Sequence, residues 1–145
     1  MPRFPMASRD AVPQDQVDAF DALVSARGGV VPEFGPIAVQ LHVPEIAQRG
    51  EVLRAYLRVE GSTLSDNVAE LAMITTAREL DCLFIWHAHA AAGRRAGLSN
   101  ALVDALRDKQ ELPPLTSAES AVINYGQEFF RTRRVSQATF DAALA

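Results

Sequence analysis

The sequence predicts an all-α protein, and three observations support this class. Apolar residues recur at intervals of three, four and seven along most of the chain, which is the spacing of one helix face. Helix-start signals precede several of these segments, most clearly the T-x-x-E pattern of Thr116 and Glu119. Strand signals are nearly absent, because no alternating β-branched run lies between hairpin turns. We therefore expect a helical bundle.

The first twelve residues, MPRFPMASRDAV, carry two prolines and no apolar periodicity. They are expected to form a mobile arm, or a strap onto a neighbouring subunit. From Pro13 the apolar spacing becomes helical at Val17, Phe20 and Val24, and the glycines of "RGG" end it. The following "VPEFGP" is predicted to be a loop. The expected organisation is an arm, residues 1–12, and one helical domain, residues 13–145, without repeats.

A second long helix is predicted from Pro44, in a first-turn position, to Gly61. Its apolar residues form a broad face: Ile46, Val52, Leu53, Tyr56, Leu57 and Val59.

A third helix is predicted to begin after an N-cap at Ser65 and to end near Leu80. The residues expected on its buried side are Val68, Leu71, Ala72, Ile74 and Ala77. The next helix should cover residues 82–96 and end at Gly97. Shorter helices are predicted after Ser99, Thr116 and Ser136.

Composition narrows the classes of function. With 145 residues, 48% of them hydrophobic, the chain is large enough for one domain with a proper core. A net charge of −4 with interspersed signs disfavours nucleic acid and membrane surfaces as partners. No apolar run approaches the roughly 18 residues that span a bilayer. The single cysteine cannot form an internal disulfide, so a soluble protein of the reducing cytoplasm is expected.

The segment CLFIWHAHAAAG, residues 82–93, contains the only cysteine and the only tryptophan. On a helix, successive residues turn by about 100°, so His87 and His89 would point roughly 200° apart. They could not bind one metal ion together, and the alanines around them favour a helix over a strand. Cys82, Ile85 and His89 do share a face, with Trp86 beside it. His87 is expected to be solvated or at a subunit contact.

These residues resemble the carboxymuconolactone decarboxylase and alkylhydroperoxidase D superfamily. Glu70, Cys82 and His89 match its E-x(11)-C-x-x-C-x-x-x-H pattern, and the resemblance covers most of the chain. It implies an all-helical subunit that assembles as a trimer or hexamer, with pockets near subunit contacts. It also implies that Glu70 is an acidic proton-relay residue. The departure is at Ile85, where peroxidase members have a second cysteine and many cysteine-free members have a glutamate.

The leading functional hypothesis is a cofactor-free decarboxylase acting on a small cyclic carboxylate or lactone. Such a reaction needs a substrate with its own electron sink and a group that protonates carbon. His89 would transfer the proton with support from Glu70. Trp86 and Ile85 would form an apolar wall that excludes water. For His89 the alternative is a core histidine satisfied by one hydrogen bond, and for Glu70 it is a residue at the edge of the buried face.

Two other functions stay open. Cys82 could act as a single-cysteine peroxidase with an external thiol, although a small buried thiol without redox function is the alternative for this residue. The chain could also be a catalytically silent helical oligomer that binds a small acid. A filled core around Ile85, with no cavity near His89, would favour that third function.

Several cations could bind an anionic substrate. Arg78, near the turn between the two central helices, is the candidate for carboxylate binding, and His42 is expected to line the same pocket. Arg94 and Arg95 lie near a helix end, where they could complement the helix dipole or a neighbouring acid. The "RTRR" segment, residues 131–134, is interpreted as a solvated helix end.

Overall fold

The computed structural model describes residues 4–145, and this part of the chain is helical without a β-strand. The predicted all-α class is therefore confirmed. The α-helices are α1 Val17–Ser25, α2 Pro36–Gln40, α3 Pro44–Ala55, α4 Asp66–Glu79, α5 Leu83–Arg95, α6 Asn100–Asp108, α7 Ser117–Thr132 and α8 Gln137–Leu144. Single turns of 3₁₀ helix cover Arg9–Ala11 and Gln14–Gln16, and a π-helical turn, Tyr56–Glu60, continues α3.

Side chains at the predicted positions cap three of these helices. Thr116 and Glu119 form the expected capping box: the Thr116 side chain accepts from the Glu119 N–H, and Glu119 accepts from the Thr116 N–H at 2.8 Å. Ser99 and Ser136 accept from backbone N–H groups three residues later. Ser65 precedes α4 as predicted, but its hydroxyl donates to Asn67 and not to the helix backbone. These local signals explain why the helix starts could be predicted.

Gly97 ends α5 as expected. Its φ of 103° lies where a side chain would strain the backbone, so glycine is required at this position. The turn lets the N–H of Leu98 donate to the carbonyl of Gly93 at 2.9 Å. This contact turns Leu98 back onto the end of α5, where its side chain is buried.

The described chain divides into two compact units, Met1–Ser62 and Thr63–Ala145. Each unit has its own cluster of buried apolar side chains. The predicted boundary at residue 12 and the single domain over residues 13–145 stay predictions.

The core of the first unit includes part of the segment that was expected to be a mobile arm. Residues 1–3 of that segment lie outside the described residues, but Ala7 and Val12 are buried against α1 and α3 residues such as Phe20 and Ala47. The expectation of a mobile arm is wrong for these positions, because their apolar side chains complete the core of this unit. Helix α2 was also missed: it begins at Pro36, the last residue of the predicted loop.

The broad apolar face of α3 and its π-helical turn is exposed in the structure. Its large side chains are between 56% and 76% accessible: Ile46, Val52, Leu53, Tyr56, Leu57 and Val59. The predicted helix is confirmed over its whole length, since the π-helical turn ends directly before Gly61. Only Pro44 and Ala47 of α3 are buried.

The second unit is built around α4, which packs against both α5 and α7. Leu71 and Ile74 are completely buried, as the apolar spacing predicted, and Val68 and Ala77 are also buried. The core is completed from the neighbouring helices by Trp86, Ala90, Leu98, Leu102, Val103, Leu106 and Ile123. This packing fixes the positions of α4 and α5, the two helices that carry the candidate site. None of the helices described between residues 4 and 145 is long and apolar enough to cross a membrane.

Candidate active site

Glu70 and His89 lie face to face across the contact between α4 and α5. The Nδ1 atom of His89 is 2.7 Å from Oε2 of Glu70, a hydrogen-bonding distance. Both side chains are largely withdrawn from water, with 17% of His89 and 11% of Glu70 exposed. Because hydrogen bonds gain strength away from water, this pair is well placed to hold its geometry.

Gly93, one turn after His89, allows the two helices to approach closely here. A Cβ atom on Gly93 would lie 3.5 Å from the Cβ of Glu70 and only 2.8 Å from Cδ1 of Leu98. At Gly93 the space that a side chain would need is occupied by residues of the same chain.

The hydrogen bond at Nδ1 determines what the imidazole can do. A carboxylate at Nδ1 orients the ring and fixes the proton on that nitrogen, which leaves Nε2 for exchange with a substrate. Nε2 of His89 has no hydrogen-bond partner among residues 4–145. The pair therefore has the arrangement of a general acid or base, His89, held by a positioning residue, Glu70.

Three other predicted site residues, Arg78, Cys82 and Trp86, line a separate cavity of about 210 Å³. Its wall is mainly apolar, and it includes neither Glu70 nor His89. Cys82 directly precedes α5, with its N–H donating to the carbonyl of Ala77 at 2.8 Å. The guanidinium of Arg78 binds the carboxylate of Asp81 at 2.5 Å. The structure thus places these five predicted site residues in two separate parts of the second unit.

Ile85 is partly buried and packs against the core of the second unit. His87 is exposed, as predicted for a residue on the opposite side of the helix from His89. The two histidines of the H-x-H pair therefore face different surroundings. Across the described residues, no three or more His, Cys, Asp or Glu side chains are grouped so that they could bind a metal ion.

His42 belongs to the first unit, between α2 and α3. Its Nε2 atom lies 3.1 Å from the carbonyl oxygen of Pro5, and its ring packs at 5.7 Å from the ring of Phe4. Both contacts hold the start of the chain to this unit. The expectation that His42 lines a pocket together with Arg78 stays a prediction.

Two further arginines, Arg94 and Arg131, form ion pairs within the second unit. Arg94 binds Asp104 of α6 at 2.7 Å, so the expected neighbouring acid belongs to the same chain. Arg131 makes a two-pronged contact with Glu79 of α4, at 2.9 and 2.7 Å. This contact raises the pKa of Arg131 through hydrogen bonding to Glu79. Residues 131–134 are exposed, as the interpretation of a solvated helix end predicts, and Arg131 in addition ties α7 to α4.

Sequence reasoning missed Thr75, a buried residue on α4. It lies four residues after Leu71, so the helical spacing places it on the buried side, but an apolar pattern does not mark a polar residue there. Thr75 is 1% exposed, and its hydroxyl has no hydrogen-bond partner among the described residues.

Comparison with models of protein families, with curated proteins and with solved structures found no match to this chain. The resemblance to the carboxymuconolactone decarboxylase and alkylhydroperoxidase D superfamily therefore stays an expectation that rests on Glu70, Cys82 and His89.

Proposed function

We propose that the protein is a cofactor-independent decarboxylase that acts on a small cyclic carboxylate or lactone of the carboxymuconolactone type. The observation that carries this proposal is the 2.7 Å contact between Nδ1 of His89 and Oε2 of Glu70. The family resemblance implies a proton-relay role for Glu70, and His89 matches the histidine of the family pattern. Their approach across two helices supplies the geometry that such a role needs.

The reaction breaks one carbon–carbon bond and makes one carbon–hydrogen bond. As carbon dioxide leaves, the electron pair of the broken bond passes into a conjugated carbonyl of the substrate, which forms an enolate. Protonated His89 then gives the proton on Nε2 to carbon, while Nδ1–H continues to donate to Glu70. Solvent returns the proton to His89, so the cycle needs no oxidant, reductant or cofactor.

Burial of the pair favours this chemistry. Loss of carbon dioxide is easier when the substrate carboxylate is less hydrated, and largely withdrawn side chains on α4 and α5 offer few competing waters. Glu70 keeps the imidazolium oriented and balances its charge. Binding of the substrate carboxylate by Arg78 stays a prediction, because Arg78 contacts Asp81 and lines the separate cavity beside Cys82.

Thiol peroxide reduction ranks below decarboxylation. Clearing a sulfenic acid within the chain needs a second thiol, but the chain has one cysteine, and Ile85 occupies the position of the resolving cysteine. A silent acid-binding oligomer is the third possibility, and packing of Ile85 against the core is the observation in its favour. The buried His89–Glu70 pair is the reason that we rank catalysis above it.

We also propose that the chain assembles with copies of itself, as a homotrimer or homohexamer, in the cytoplasm. The family resemblance suggests these assemblies, and the exposed apolar face of α3 offers a surface that a second copy would cover. The single cysteine suits a reducing compartment.

The function is tested by measuring carbon dioxide release from a carboxymuconolactone. His89→Gln should lower kcat/KM by about 10²- to 10⁴-fold, because the proton donor is lost. The matched control is His87→Gln, which alters an exposed imidazole two residues away and should leave activity unchanged.

Cys82→Ser belongs in the same assay. It should retain most of the decarboxylase activity, because no step uses the thiol. Peroxide reduction that disappears with Cys82→Ser, in a protein without decarboxylase activity, would favour the thiol function instead. Equal activity of the His89 and His87 variants would contradict the role of His89.

A further inference from the structure

A second cleft in the unit Thr63–Ala145 has the lining of a ligand site. It has a volume of about 260 Å³ and lies where α4, α6, α7 and the segment after α6 meet. Its lining contains neither Glu70, His89 nor Cys82. This cleft is therefore distinct from the pair proposed for catalysis, and it shares only Arg78 with the cavity beside Cys82.

Two buried polar atoms at this cleft have no hydrogen-bond partner among the described residues: the hydroxyl oxygen of Thr75 and Nε of Arg78. Thr75 is 1% exposed, and its methyl group is directed towards α7, where a Cβ on Gly126 would lie 2.9 Å from it. Buried donors without partners are rare because each costs free energy. Both residues line the cleft, so a ligand there is the candidate partner for these two atoms.

The charges around the cleft favour an anion. Its ionisable lining consists of three cations, Arg78, Lys109 and Arg131, and one acid, Glu79. Glu79 is engaged by Arg131. Asp81, which contacts Arg78 at 2.5 Å and Lys109 at 4.0 Å, offsets part of the remaining charge. Arg78 is bound to Asp81 through Nη1, and its Nε has no partner among the described residues.

The remaining lining sets the size and character of the ligand. Ala105, Leu106 and Leu112 form an apolar wall, and the side chains of Gln110 and Gln127 add polar groups. A volume of about 260 Å³ is slightly below the range of typical ligand pockets, roughly 300–1,000 Å³, so only a small molecule fits. A ligand with one charged end and one apolar end would match this lining.

We infer that this cleft binds a small organic carboxylate, with its carboxylate at Thr75 and Arg78 and its apolar body against Leu106 and Leu112. The hydroxyl of Thr75 and Nε–H of Arg78 donate to the carboxylate oxygens, and Lys109 adds charge at the mouth of the cleft. This inference does not depend on the proposed decarboxylase activity, because none of its atoms belongs to the His89–Glu70 pair.

The test uses benzoate as the probe and follows backbone amide chemical shifts of the full chain. Saturable shifts are expected in the segments that line the cleft, residues 75–79, 105–112 and 127–131. Benzamide, which has nearly the same shape without the charge, should bind at least about tenfold more weakly, because it lacks the charge-assisted hydrogen bonds. Inorganic phosphate, an anion without an apolar body, should also bind more weakly than benzoate.

Thr75→Val is the decisive variant. It removes the hydroxyl but keeps the shape of the side chain, and because this hydroxyl has no partner in the protein, the variant should melt at or above the temperature of the wild type. Its affinity for benzoate should fall about tenfold. Arg78→Gln should weaken benzoate binding as well.

Two further variants separate this cleft from other anion sites. Arg95→Gln removes an exposed arginine outside the cleft and should bind benzoate like the wild type. His89→Gln should also keep full affinity, which distinguishes the cleft from the proposed catalytic site. Absence of saturable shifts, equal binding of benzamide or phosphate, or unchanged affinity in Thr75→Val would each overturn the inference.

Discussion

Helices α3 and α4 both carry apolar residues at helical spacing, but they use them in opposite ways. Leu71 and Ile74 of α4 are completely buried between α5 and α7. Leu53 of α3 is 58% exposed and Leu57 of the following π-helical turn is 60% exposed. Apolar periodicity therefore indicates where a helix forms, whereas the packing of other elements determines whether its apolar face is covered.

Substitution of one leucine in each helix tests this contrast and should give the largest effect. Leu71→Ala should lower the free energy of unfolding of the second unit by about 2–5 kcal/mol, because it leaves a cavity in the core. Leu53→Ala should change stability by less than about 0.5 kcal/mol at a protein concentration where the chain is monomeric. Urea unfolding followed by circular dichroism measures both, and equal losses would mean that α3 is covered within one chain.

If copies of the chain assemble through α3, its apolar face would be covered, and the difference in exposure between α3 and α4 would disappear. Size-exclusion chromatography with light scattering should show a trimer or hexamer at micromolar concentration. Leu57→Glu places a charge on the exposed apolar face and should shift the population towards monomer, because burying an unpaired carboxylate is costly. A wild-type chain that is monomeric under these conditions would contradict the proposed assembly, and an unchanged oligomer in Leu57→Glu would place the interface elsewhere.

Substitution of one glycine in α3 and one in α7 should change the free energy of unfolding by smaller amounts. A Cβ on Gly50 in α3 would meet nothing within 4 Å, so Gly50→Ala should raise the free energy of unfolding by about 0.5–1 kcal/mol. A Cβ on Gly126 in α7 would lie 2.9 Å from Cγ2 of the buried Thr75. Overpacking of this kind costs about 1–3 kcal/mol, so Gly126→Ala should destabilise despite its better helix propensity. Thermal melts measure both, and stabilisation by Gly126→Ala would show that α4 and α7 pack loosely here.

Local signals account for the parts of the fold that the sequence predicted. The capping box at Thr116 and the glycine after α5 operate within a few residues, so they are visible without tertiary structure. Helix α2 has five residues, too few to display a period, and was missed. The burial of Ala7 and the exposure of Leu53 depend on neighbours that are distant in sequence. The spacing of apolar residues along a helix does not specify these neighbours.

The candidate site likewise combines features that the sequence predicted with contacts that only the tertiary structure shows. The spacing of Glu70 and His89 suggested a pair through family resemblance, and the structure brings their side chains to 2.7 Å. The partner of Arg78, Asp81, lies three residues later and is a local contact. The cleft at Thr75 could not be predicted, because it forms only where α4, α6 and α7 come together.

His89 and Glu70 are proposed to act as one proton-transferring unit, and a double-mutant cycle measures the coupling between them. The cycle compares kcat/KM for decarboxylation in the wild type, His89→Gln, Glu70→Gln and the double variant, with a thermal melt of each. We predict that each single substitution lowers kcat/KM by a similar factor, about 10²- to 10⁴-fold, while the variants melt close to the wild type. The double variant should lose little more than either single one, because the residues act together. Losses that multiply, or variants that melt far lower yet keep their activity per folded molecule, would contradict the claim and leave the pair as part of the core.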